Sequence, residues 1–130
     1  MIETTIQIQL SDAVIPAQLV TNNYARGLIL FAHDSGNTEK SPRYNYFAGA
    51  LQRKDFSTLL FDPLTVAEER EKGNLSNIRL YTRRLDEMVK WTRANNLVNR
   101  LPLGILGWDI AAASALRIAF RHSGLVKGVT

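Results

Sequence analysis

The sequence predicts an α/β fold with a mostly parallel sheet between layers of helix. Three observations carry that prediction. Short apolar runs recur at Gly27–Ala32, Thr58–Phe61, Leu103–Leu106 and, less cleanly, Leu125–Val129, as expected of strands covered on both faces. Stretches with helical periodicity alternate with those runs. The connections are short, and strand–helix–strand order of this kind implies right-handed crossovers with helices on both faces of the sheet.

The first elements differ from the rest. From Glu3 to Leu10 the side chains alternate, with Ile6, Ile8 and Leu10 opposite Thr5, Gln7 and Gln9; that is the period of a half-buried strand. Ser11-Asp12 signals a turn, and Ala13–Val20 reads as a second strand. Pro16 argues for placing this strand at an edge. The short link makes the pair an antiparallel hairpin at one side of the sheet.

Three helices follow from capping and stripe. Ser41 caps the first, Pro42 takes its first position, and Tyr44, Phe47, Ala48 and Leu51 share a face. Ser76 caps the second, which runs to about Asn95 with Ile78, Tyr81, Leu85, Met88 and Val89 on one stripe. Arg79, Arg83, Asp86, Glu87 and Lys90 fall on its other side. The third, from about Ile110 to Arg121, is rich in alanine. It carries Arg117 and Arg121 near its C-terminal end, where positive charge is favoured, and Gly124 stops it.

Composition bounds the function. The chain has 130 residues, which fits a single domain over 1–130. Hydrophobic residues make up 45% and charged residues 22%, which excludes disorder as the main story. No run of 18 apolar residues occurs, so no membrane-spanning helix is expected. Met1-Ile2-Glu3-Thr4-Thr5 has neither a basic region nor a long apolar stretch, so no signal peptide is expected. There is no cysteine, which excludes disulfides and thiolate chemistry and agrees with a cytoplasmic location. The net charge is +4, with 16 Lys and Arg against 12 Asp and Glu. These charges are dispersed, and no stretch interleaves aromatic and basic residues, so no nucleic-acid partner is expected. The densest run, Glu68-Glu69-Arg70-Glu71-Lys72, mixes signs and suits a solvated loop or helix end.

In such a sheet, ligands bind at the carboxyl ends of the strands. Three junctions there carry chemical side chains: His33-Asp34-Ser35-Gly36, Asp62-Pro63, and Gly107-Trp108-Asp109-Ile110-Ala111. The third has the frame of a nucleophile elbow, G-x-S-x-G, with a small residue at each end and Asp109 at the centre. Asp tolerates positive φ better than most residues, so the sharp turn stays open to it. At a helix start its carboxylate also gains from backbone N–H groups and the helix dipole.

The segments Gly27–Gly36 (GLILFAHDSG), Ser41-Pro42-Arg43, Thr58–Thr65 (TLLFDPLT) and Leu103–Leu116 (LGILGWDIAAASAL) resemble the N-terminal part of an α/β-hydrolase of the dienelactone hydrolase-like group. The resemblance runs from about Gly27 to the end. It implies a three-layer hydrolase-like sheet, shortened at its C-terminal end. It also implies hydrolysis of a carboxylic ester or lactone by a Ser-His-Asp triad, with no cofactor and no metal. Carried over by position, Asp109 stands at the nucleophile, the Ile110 N–H is one oxyanion donor, and Ser35 or its neighbour Asp34 supplies the other. His33 matches a loop histidine that supports conformation. Trp108 and Asp62 line the pocket with His33 and Asp34.

The resemblance departs from its family at three points. Serine is replaced by Asp109. Asp34 brings negative charge where an oxyanion would form. The sequence ends at Thr130, before the segments that bring the triad acid and histidine in that family. His122 sits about a dozen residues beyond Asp109, near 18 Å along a helix, and reads as a helix-terminal surface residue.

Each site residue also has a plainer role. Asp109 serves as a helix N-cap, Ser35 as a turn residue beside Gly36, Asp62 as a turn residue before Pro63, and Trp108 as packing. Arg79, Arg83 and Arg84 form either an anion patch or a solvated helix face. Asp34, Asp62 and Asp109 together would suit a divalent cation only if the fold brought them to one point. Three readings stay open: weak or lost ester hydrolysis, a non-catalytic module that self-associates through an unpaired C-terminal sheet edge, and a fragment of a longer enzyme.

Overall fold

The computed structural model describes residues 1–32, 42–71, 73–74, 77–107, 110–122 and 126–129. The elements in chain order are β1 (Ile2–Gln9), β2 (Val14–Thr21), β3 (Leu28–Ala32), α1 (Pro42–Arg53), β4 (Ser57–Phe61), α2 (Val66–Glu69), α3 (Ile78–Ala94), β5 (Leu103–Gly107), α4 (Ile110–Arg121) and β6 (Val126–Val129). The six strands form one sheet in the order β1-β2-β4-β3-β5-β6. β3, β4, β5 and β6 run parallel, whereas β1 and β2 pair antiparallel with each other and β2 with β4. The expected hairpin and mostly parallel sheet are both present.

Alternation of side chains divides the core in two. On one face Leu28, Leu30, Leu59, Phe61, Leu103 and Ile105 pack against α3 through Leu85, Met88 and Val89 and against α4 through Ala115 and Ile118. On the other face Phe31 and Leu60 pack against Tyr44 and Ala48 of α1, with Ile29, Leu51 and Leu106 alongside. The layers are thus helix, sheet and helix. β4 is buried along its whole length, which explains its unbroken apolar run.

Several local expectations need correction. β2 is not an edge strand, because β1 and β4 flank it. Pro16 lies outside the stretch Ala17–Val20 that pairs with β4 and stands opposite Gln7 of β1 alone, so its missing N–H takes no bond from the β4 ladder. Phe47 turns away from the core and is 41% exposed, its ring edge-on to Tyr46 at 5.8 Å. The cap of α3 is Asn77, whose side chain accepts from Leu80 N at 3.1 Å; Ser76 lies outside the described residues, as do Ser41 and Gly124.

The outer face of α3 departs most from expectation. Arg84 is fully buried and Asp86 is 8% exposed, so neither belongs to a solvated stripe or to an anion patch. Asp86 faces α4, where His122 Nε2 lies 2.5 Å from its Oδ1. Lys90 at 3.1 Å and Arg121 at 3.7 Å complete the cluster. His122 is therefore an interhelical partner and not a free surface residue. One turn earlier, Thr82 Oγ1 donates to Ser114 Oγ at 3.1 Å, both buried. The two polar pairs are four residues apart on α3 and eight apart on the α4 side, so both fall on the α3–α4 seam.

Candidate active site

The sheet register builds the site. Ala32, the last residue of β3, is the partner of Phe61 at the end of β4 and of Gly107 at the end of β5. Three neighbouring parallel strands therefore stop at one level, and the chain leaves all three toward the same edge. The segments expected to carry chemistry begin directly after those residues. Two residues separate β5 from α4, so strand turns to helix in the tightest span of the fold. Ile110 is the first residue of α4; a helix start offers unpaired backbone N–H groups and a positive dipole end.

His33, Asp34, Ser35, Trp108 and Asp109 lie outside the described residues. Asp62 and the backbone of Ile110 lie within them, and both sit at this edge. Asp62 is 7% exposed, and its Oδ1 accepts from Leu64 N at 3.1 Å. That is the turn-forming role, and the same residue also lines a groove. The groove, about 340 Å³, is bounded by Val14 and Pro16 of β2 and by Asp62, Leu64, Thr65 and Val66 after β4, with Glu69 at its rim.

One wall of this groove is tightly built. Thr65 caps α2: its Oγ1 accepts from Glu68 N at 3.2 Å, while its N–H donates to Glu68 Oε1 at 2.9 Å. This is a capping box. Leu64 packs with Leu80 and Tyr81 of α3. Arg84 Nη1 and Nη2 donate to Glu68 Oε1 and Oε2 at 2.7 and 2.5 Å. Those hydrogen bonds from Arg84 hold the Glu68 carboxyl at about 2, below its ordinary 4.5, against the opposing effect of burial. The groove and the buried arginine were missed in the sequence. The only hint was the S/T-x-x-E pattern of Thr65 and Glu68.

His122 closes α4 at the end opposite Ile110, a helix length of about 18 Å away, and is already engaged with Asp86. It is therefore far from the start of α4. Among the described residues, no group of three or more His, Asp or Glu could hold a metal ion. Among them, too, no helix is long and apolar enough to cross a membrane.

Such a sheet, with chemistry-bearing links at one strand edge and a helix that begins after only two residues beyond β5, has the α/β-hydrolase fold. Within that class the chain is dienelactone hydrolase-like. The crystal structure of dienelactone hydrolase from Anabaena variabilis superposes with a TM-score of 0.91 and 32% identity, over 98% of this chain and 61% of that one. An α/β serine hydrolase homologue from Coxiella burnetii shares the fold at a TM-score of 0.74 and 15% identity, over 94% of this chain and 59% of that one. No family model matches the chain. Two Mycobacterium tuberculosis proteins, from strains CDC 1551 and H37Rv, are provisionally named phosphoribosyl transferases. They are 34% identical to it over 111 residues, 85% of this chain. The chain spans only 25% of the length of those relatives.

Proposed function

We propose that the chain carries the strand-edge half of an ester-hydrolase centre, with carboxylic ester or lactone hydrolysis as its ancestral chemistry and weak or lost turnover in the chain as it stands. The observation that supports this most is the common level of Phe61, Ala32 and Gly107, from which all three chemistry-bearing segments depart. In this reading Asp109 stands where the family's serine attacks. The Ile110 N–H and the first loop, at Ser35 or Asp34, donate to the oxyanion. His33, Trp108 and Asp62 shape the pocket. A carboxylate at the centre is a far poorer acyl acceptor than an alkoxide, and a base within hydrogen-bond reach is required to recover it. His122 does not provide that base. Asp109 then acts mainly as the cap of α4.

The phosphoribosyl transferase name is not carried over, because the match covers a quarter of those proteins and no phosphate-binding glycine loop precedes a helix in this sequence. The test is hydrolysis of p-nitrophenyl acetate by the chain, by Asp109→Ala and by Asp109→Ser. Each is assayed alone and with a separately supplied C-terminal part of the dienelactone hydrolase fold. Turnover by Asp109→Ser only when that part is present supports a competent scaffold. No turnover in any combination overturns the reading.

A second reading, a non-catalytic module that self-associates, is favoured by the position of β6. It is the last strand of the sheet, with β5 as its neighbour on one side. An edge of that kind presents unpaired backbone groups to a second chain.

A further inference from the structure

The sheet begins at β1, which has β2 on one side and no strand on the other among the described residues. The hairpin fixes which of its backbone groups face outward. Leu10 N–H donates to Ala13 O at 2.8 Å, so these two form a hydrogen-bonded pair. From there the register runs unbroken, from Gln9 opposite Val14 to Ile2 opposite Thr21. Hydrogen-bonded and non-hydrogen-bonded pairs alternate along an antiparallel ladder. Ile8, Ile6, Thr4 and Ile2 therefore bond to β2, whereas Gln9, Gln7, Thr5 and Glu3 turn their N–H and C=O groups away from it. Pro16 fits this phase: it stands opposite Gln7, where the ladder asks β2 for no N–H.

A row of outward backbone groups is a template for another strand unless something blunts it. β1 has none of the usual devices. It is eight residues long, with no Lys, Arg or Pro, and its register with β2 holds no bulge. Its one charged side chain, Glu3, accepts from Gln18 of β2.

We infer that this edge docks a second copy of the chain, β1 against β1, across a twofold axis perpendicular to the sheet. Self-complementarity selects that occupant. A twofold axis of this kind sets a strand antiparallel to itself. With the axis at Ile6, Glu3 meets Gln9 of the second copy and Thr5 meets Gln7, so all four outward residues find partners. The result is about eight backbone hydrogen bonds, against roughly ten in a typical interface. Glu3 then faces a neutral amide, and no like charges are opposed. Ile6, half-buried in a single copy, packs against its own counterpart on the face that carries the main core. Neither the hydrolase reading nor the β6 edge enters this inference.

The test is sedimentation of the full chain over a range of concentrations, with amide hydrogen exchange read in parallel. Association that grows with concentration is expected, and exchange at Thr5 and Gln7 should slow with it. Thr5→Pro removes an outward N–H that β2 does not use; it should abolish the β1 dimer and leave the circular dichroism spectrum unchanged. Two changes at the exposed Gln9 probe the register without touching the backbone. Gln9→Lys sets a cation opposite Glu3 and should tighten the dimer, whereas Gln9→Glu opposes two carboxylates and should weaken it. Lys127→Pro acts on β6 and should leave the β1 dimer in place.

A monomer at every concentration overturns the inference, as does a dimer in which Thr5 and Gln7 exchange as fast as in the monomer or one that survives Thr5→Pro. Loss of all association in Lys127→Pro also overturns it and assigns the contact to β6. Equal affinities for Gln9→Lys and Gln9→Glu overturn the register.

Discussion

Arg84 grips Glu68 with two parallel hydrogen bonds of 2.7 and 2.5 Å, although the two residues belong to different helices and Arg84 has no exposed surface. The pair joins α3 to the segment leaving β4, and Asp12 extends the link to the hairpin turn. A cation in that position is tolerable only while its partners remain. The strand-end groove is thus coupled to the stability of the whole domain.

Arg84→Met should destabilise the protein by about 3 kcal/mol, the low end for breaking a buried pair, because Asp12 and Glu68 keep some access to water. Their side chains are 41% and 23% exposed. Urea unfolding followed by circular dichroism checks this: the midpoint should fall with the slope unchanged. An unchanged midpoint would show that the ion pairs add nothing net.

Acid should weaken the same link. Glu68 is held at about 2 in the folded chain against an ordinary 4.5. Its contribution is complete above about pH 4.5 and is lost as pH falls toward 2, since the unfolded chain takes up the proton first. Asp86 adds to the trend. Burial pushes its carboxyl up, but hydrogen bonds from His122 and Lys90, reinforced by their charges, outweigh that and leave it below the usual range. Urea midpoints measured across this window should drop steeply in the wild type and less in Glu68→Gln. Equal slopes in the two proteins would contradict the assignment.

The α3–α4 seam gives a separate test. His122→Ala removes the 2.5 Å partner of Asp86 and leaves a largely buried carboxylate with Lys90 and Arg121, whose side chains are 67% and 55% exposed. A loss of about 1–2 kcal/mol is expected for an underpaired buried acceptor. Asp86→Asn together with His122→Ala should lose less than the sum of the single changes, because the two share one interaction. Strict additivity in thermal melts would deny the contact.

How legible this was in the sequence follows from the range over which each feature is decided. β3, β4 and β5 were legible because apolar runs of about five residues report burial locally. The end of β5 at Gly107 and the start of α4 at Ile110 were legible because a short apolar run gives way there to an alanine-rich stretch. The burial of Arg84 was not, since the residues that neutralise it stand 72 and 16 positions away. One helix position among several arginines carries no mark of such partners. Asp86 and His122 were misread as solvent-facing for the same reason, being 36 residues apart. Pro16 was misread as marking an edge strand, because the strand it sits in gains β4 as a neighbour only from Ala17 onward.

Close approach at the start of β3 is similarly specific. A Cβ on Gly27 would lie 3.0 Å from Pro102 O, the same carbonyl that accepts from Leu28 N at 2.8 Å. Backbone cannot withdraw as a side chain can, so Gly27→Ala should cost about 1–3 kcal/mol through overpacking. Exchange of the Leu28 amide should speed up in parallel. A neutral substitution would mean that the strand ends separate freely.

The edge formed by β6 yields the last prediction. β5 supplies its pairing through Leu103, Gly104 and Ile105, and on the face covered by α1 the neighbouring β5 residues Gly104 and Leu106 stay half-exposed. A second copy adding along β6 would cover both the free backbone and that surface. Sedimentation at micromolar concentration should then show reversible self-association. Lys127→Pro removes a backbone donor in the middle of β6 and should shift the population toward monomer. If the wild type sediments as a monomer throughout, the edge is not a docking strand for its own kind. The hydrolase scaffold then remains the better account of the same residues, because the level strand ends of β3, β4 and β5 do not depend on any partner.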